Sequence, residues 1–132
     1  MNYALKITNL WMLLILGLLI HSFMFVFPLF IGHSIAIADA GEQYLFALTW
    51  MFLLCMLLPM LLILLLQIFQ GHAFRKIHFA ISLPYLLLSA AHPFENIGLN
   101  PLPWDQVILQ VFILTVSITI SVLGFKWMKL DR

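Results

Sequence analysis

Residues His78–Asn96 read HFAISLPYLLLSAAHPFEN. Polar side chains fall at His78, Ser82, Tyr85, Ser89, His92 and Asn96, in steps of four, three, four, three and four. That spacing gathers all six on one face of a single α-helix and leaves Leu, Ala, Ile and Phe on the others. The sequence around this stretch is so apolar that the helix is expected to lie in a bilayer. Lipid offers no hydrogen bonds, so a polar stripe at that depth must face protein, water or a ligand.

The composition leads the same way. Of 132 residues, 64% are hydrophobic and only 8% charged, and the mean hydropathy is +1.12. A soluble domain carries roughly a quarter charged residues, so a water-soluble fold is not available to this chain. Four apolar stretches stand out: Leu10–Ile31, Tyr44–Phe69, Ile77–Ala91 and Val107–Phe125. A span takes about 20 residues. The first and fourth stretches fit directly, and the second is long enough to tilt. The third reaches span length only if its helix continues through His92 and Pro93. The expected fold is therefore all-α and integral to the membrane, a four-transmembrane-helix bundle forming one domain over 1–132, with spans near 10–31, 44–69, 77–95 and 107–125.

The charges fix an orientation. All six basic residues fall at one set of span ends: Lys6, Arg75, Lys76, Lys126, Lys129 and Arg132. The opposite loops, Gly32–Gln43 and Phe94–Gln106, hold Asp39, Glu42, Glu95 and Asp105 and no Lys or Arg. By the positive-inside rule both termini are expected in the cytoplasm. A dual-topology transporter would need a weaker bias. Lys6, the apolar run and Ala36-Ile37-Ala38 imitate a signal peptide, but the run of 22 residues exceeds the roughly 7 to 15 of a secretory apolar core. A retained first span is expected. Four spans with short loops and a Trp127-Met128-Lys129 end resemble many small bacterial inner-membrane proteins. The resemblance implies a multi-pass place in the cell membrane and no particular activity.

Each of the first three spans carries a proline, Pro28, Pro59 and Pro84. These are expected to act as ordinary kinks, with a cavity beside the polar stripe as the functional alternative. Trp11, Trp50, Trp104 and Trp127 fall near span ends, the place of interfacial anchors. On the fourth span, Gln106, Gln110, Ser117, Ser121 and Gly124 approximate one face. Ser82, Ser89, Gln110, Ser117 and Ser121 are accordingly expected at a helix interface, with the third span as partner.

Five histidines differ in depth. His72 and His78 flank Arg75 and Lys76 and are expected at the cytoplasmic surface beside lipid phosphates, and His33 in a solvated loop. His21 falls mid-span, and His92 differs from it in depth by only ~6 Å at the helical rise. The two can face each other across a bundle. An opposed pair of imidazoles is the minimal axial set for a haem, or half of a metal site. Glu95 follows His92 in an HPFE sequence, placing a carboxylate on the same helical face if Pro93 does not end the helix. Tyr85 lies near enough to assist cofactor binding. A second HxxE is lacking, so a di-iron centre is not expected. Hydrogen bonding between helices, with no cofactor at all, is the simpler reading of both histidines.

Other chemistries find no residues to carry them. Cys55 is the single cysteine, so there is neither a disulfide nor a CxxC pair. The chain contains no GxSxG, HExxH, P-loop or dinucleotide-binding pattern, and no basic cluster suited to nucleic acid. No acidic residue lies deep in a span, which disfavours a cation-coupled carrier. Seven Met and twelve Phe suit packing against lipid, a partner subunit, a second copy or a flat apolar cofactor. The leading expectation is thus a small subunit or accessory protein of a larger membrane complex, respiratory or photosynthetic electron transport included, without catalysis of its own. The alternatives are a redox protein holding haem, another metal or a quinone at His21 and His92, and a small transporter using the polar stripe.

Overall fold

The computed structural model of the chain describes residues 2–32, 41–95 and 103–130. Among them are four α-helices: α1 at Tyr3–Val26, extended by a 3-10 turn at Phe27–Ile31, then α2 at Glu42–Ile68, α3 at His72–Glu95 and α4 at Trp104–Met128. Each is long and apolar enough to cross a membrane.

Helices α1, α3 and α4 run past their apolar windows at the basic end, because helical hydrogen bonding does not stop where hydropathy falls. Asn2 caps α1 by accepting from the Leu5 amide at 3.1 Å, which fills one of the orphan donors of the first turn. The start of α3 takes in His72, Arg75 and Lys76. At the other end, Pro28 sits in the first turn of the 3-10 segment, where its missing N–H costs nothing. Gly32 closes that segment with φ of 81°, a conformation that glycine adopts without strain. Pro93 does not end α3, which continues to Glu95. Pro59 and Pro84 lie inside α2 and α3.

Side-chain contacts set the order of the bundle. Thr8 near the start of α1 meets Gln67 near the end of α2, while Trp11 and His21 meet His78 and His92 in the same sense along α3. Ser82 and Ser89 of α3 pair with Ser121 and Ser117 of α4 in the opposite sense. The helices therefore alternate up and down, and the first and last described residues lie at the same end. The backbones of α3 and α4, α1 and α4, and α1 and α2 pack side by side. Helix α2 leans mainly on α1.

One apolar cluster ties three of the helices together, with Ile7, Trp11 and Leu14 of α1, Leu62 and Leu66 of α2, and Ile113 and Ile120 of α4 all buried. The close approach of α1 to α4 depends on Gly17, where a Cβ would stand 2.9 Å from the Ile113 side chain. Outside, large apolar side chains cover the surface along every helix; Leu64, Leu87 and Ile108 are more than half exposed. A water-soluble protein rarely exposes apolar surface so continuously.

Candidate functional site: a groove at two facing histidines

The polar stripe of α3 divides into two rows. Ser82 and Ser89 turn towards α4, and both are buried. The Ser89 and Ser117 hydroxyls lie 2.8 Å apart, and the Ser121 hydroxyl donates to Ser82 at 3.3 Å. Each α3 serine also donates to a carbonyl of its own helix, Ser82 to Phe79 and Ser89 to Tyr85. Gln110 is buried on the same side of α4. These hydroxyls join two helices, and little is left over for a ligand.

The second row, His78, Tyr85 and His92, turns towards α1. At its first position the structure corrects the sequence reading. His78 is fully buried rather than interfacial. The Trp11 indole N–H donates to His78 Nε2 at 2.8 Å. A nitrogen that accepts carries no proton, so the neutral ring holds its hydrogen on Nδ1. The Trp11 and Trp127 rings both stand edge-on to the imidazole at 6.0 Å. Gly124 closes the remaining side, where a Cβ would lie 3.4 Å from Nδ1. Trp11 and Trp127 are thus core residues, buried about the histidine, while Trp50 and Trp104 stay exposed. Because α3 begins at His72, position 78 is nearly two turns inside the helix, and the indoles need a partner there. The Arg75 guanidinium lies over the Trp127 ring at 5.3 Å and marks where this packed end meets the surface.

Tyr85 is the hinge between the two ends. Its ring meets Trp11 edge-on at 5.1 Å, and its hydroxyl donates across to the Leu54 carbonyl of α2 at 3.2 Å. That carbonyl lies in the turn that Pro59 loosens by withholding a donor from Cys55. Beyond Tyr85, side chains of α1, α2 and α3 line a groove of about 540 Å³.

The polar end of the groove is His21 and His92, whose ring centres are 5.4 Å apart with planes at 47°. Both are half-buried. Ser22 and Tyr85 also border the groove, and α2 adds Thr49 and Cys55. Ser22 donates to Leu18 at 2.9 Å, and Tyr85 is engaged with Leu54 as donor, so both present oxygen lone pairs. Leu18, Phe52, Met56 and Leu88 make up much of the rest of the wall. A concave, mostly apolar space of a few hundred cubic ångströms with a few convergent polar groups is the usual form of a small-molecule site.

The structure brings His21, His92 and Tyr85 to one groove. The Glu95 side chain, Asn96 and His33 lie outside what is described, and His72 is exposed at the opposite end. Among the described residues no three His, Cys, Asp or Glu side chains gather as a metal set. Two imidazoles on opposite sides of one metal have ring centres on the order of 6 Å apart, given metal–nitrogen bonds of about 2 Å. The observed separation of 5.4 Å is shorter. The α2 residues had no signal in the sequence, since Thr49 and Cys55 lie isolated in an apolar run. The tryptophans did have one: an indole N–H in an apolar helix needs an acceptor, and His78 heads the stripe.

No protein-family model, curated protein or solved structure matches this chain.

Proposed function

We propose that this chain is a small multi-pass protein of a bacterial inner membrane that serves as a ligand-binding subunit of a larger membrane complex, of the electron-transport kind. The observation that carries the reading is the groove at His21 and His92, a polar end inside an otherwise apolar space. The orientation rests on charge. Lys6, Arg75, Lys76, Lys126 and Lys129 all fall at the end where α1 and α3 begin and α4 finishes, and the positive-inside rule supports a cytoplasmic side for that end. Membrane insertion rests on four apolar helices with exposed apolar faces, and lipid is the natural neighbour of most of them.

The lean of α2 on α1 favours a subunit over a free-standing protein, because a partner helix has room to pack beside it. The alternative of a transporter finds less support: Ser82 and Ser89 are engaged between α3 and α4 and do not line a path. A haem between the histidines finds less support too, since their ring centres, 5.4 Å apart, are closer than an axial pair on one metal would place them.

Gentle purification from the native membrane tests the reading. The expected result is a stoichiometric partner together with a small molecule that extracts into organic solvent and is lost in His21→Ala. A folded chain that purifies alone and empty would overturn it. A Soret band that shifts on reduction would replace the ligand reading with the haem one.

A further inference from the structure

The geometry points to an uncharged, lipid-soluble carbonyl compound of the quinone class as the ligand of the groove, with a ring carbonyl directed at the His21–His92 pair. This rests on the ligand-binding reading above and narrows it to one chemistry.

Charge excludes the commonest lipid heads first. None of the described residues lining the groove is Lys or Arg, and the described basic side chains stand at the opposite end of the bundle. A carboxylate or phosphate placed here would be desolvated with no Lys or Arg beside it and would have to charge an imidazole in an apolar space, which is unfavourable. The ligand head is therefore neutral. A positively charged head fares no better, because no described carboxylate borders the space.

Hydrogen bonding then sets the polarity of that head. Tyr85 and Ser22 already direct their hydrogens at backbone carbonyls. The donors suited to a ligand are the ring N–H groups of His21 and His92, which stand together at the polar end of the groove and would exchange their present neighbours in the protein for a ligand oxygen. A carbonyl accepts such a bond, whereas a saturated hydrocarbon or carotenoid chain offers nothing to the two imidazoles.

Shape gives the last restriction. Phe52, Met51, Met56 and Leu88 line the wall, and thioethers against aromatic faces favour a flat conjugated ring. The space of about 540 Å³ is ample for such a ring and the start of its tail. Because α2 leans on α1 and reaches α3 through Tyr85, the tail has a lateral exit between helices, and a molecule dissolved in the bilayer enters by the same way.

Full-length protein in nanodiscs, titrated with decylubiquinone and followed by quenching of tryptophan fluorescence, tests this directly. The proposal expects a saturable component. His21→Leu and His92→Leu should weaken it about tenfold or more, the scale for losing a hydrogen bond in an apolar site. His92→Gln keeps an N–H donor and should restore most of the affinity; unchanged elution of each variant on size exclusion shows that it folds. Non-saturable quenching, or saturable quenching that ignores both histidines, would overturn the quinone assignment. Histidine-dependent binding of palmitate in place of decylubiquinone would also overturn it while leaving the ligand groove itself in place. A native preparation that carries no small molecule of any kind is the separate result that removes the groove reading.

Discussion

His78 and His92 lie on the same face of the same helix, yet one is sealed and the other borders a groove. At His78 two indoles stand edge-on, Gly124 lets α4 close over the ring, and Trp11 supplies a hydrogen bond at 2.8 Å. At His92 the neighbour is another histidine, and α2 stands off with Tyr85 as its bridge to α3. The residue type is the same in the two cases, and both stand on one stripe of α3. What differs is whether large side chains fill the space between the helices. A buried imidazole surrounded by tryptophan is part of the packing between helices; an imidazole half-buried at a groove borders unfilled space.

The sharpest way to break this contrast is to open the sealed end. Trp11→Ala removes the largest fully buried side chain and strands His78 without its donor. Replacing a buried aromatic by Ala costs about 3–5 kcal/mol, so thermal unfolding in detergent should fall by many degrees. Trp11→Phe keeps most of the volume but not the N–H, and should lie between the two. A Trp11→Ala protein as stable as the parent would show that the His78 cluster is not what holds this end closed.

Gly17→Leu probes the neck between the two ends. Its Cβ alone would stand 2.9 Å from Ile113, and neither backbone can retreat without loosening the cluster around Trp11. Overpacking of this kind costs about 1–3 kcal/mol. The same substitution should also widen the groove, read as weaker ligand binding together with a lower unfolding temperature. Lowered stability with binding intact would mean that the two ends are independent.

Ser89→Ala gives a smaller effect. Hydrogen bonds between membrane helices average about 0.6 kcal/mol and reach about 1.7 kcal/mol, and Ser89 makes one such bond, to Ser117. Unfolding of Ser89→Ala and Ser117→Ala, singly and together, should form a double-mutant cycle with a coupling inside that range. Additive losses would show that the two hydroxyls stabilise separately.

Much of the fold was legible because hydropathy and charge are carried by long stretches rather than by single residues. Four apolar runs foretold four helices, and the apolar windows missed only the flanking turns, such as Tyr3–Asn9 and His72–Lys76, where charge lowers hydropathy but helical bonding continues. The stripe from His78 was legible as a face, since helical register follows from spacing alone. Its division into a serine row towards α4 and a histidine–tyrosine row towards α1 was not. The two rows differ by less than a quarter turn, and only the packing angle of neighbouring helices separates them. Depth misled at His78, where nearby Arg75 and Lys76 suggested a surface that Trp11 and Trp127 in fact cover. For His21 and His92, a similar depth was readable, but the groove beside them depends on how α2 leans, which no pattern in its near-uniform apolar sequence records.

The smallest expected effect on stability is the one that bears most on the comparison. His21→Leu replaces a half-buried imidazole at the rim of the groove with an apolar side chain of similar bulk. No tryptophan cage collapses, and the new side chain joins a wall already made of Leu18, Phe52 and Leu88. Its cost should stay within about 0.5 kcal/mol, the range of substitutions made away from core packing. His78→Leu at the same face of α3 should instead leave the Trp11 N–H buried without an acceptor and cost about 1–3 kcal/mol. Unfolding temperatures of the two variants, measured side by side, decide the matter. If His21→Leu falls as far as His78→Leu, the His21–His92 pair is a structural clasp and the groove is a packing defect beside it. If it holds while ligand binding is lost, the two histidine environments are divided between holding the bundle and serving the site.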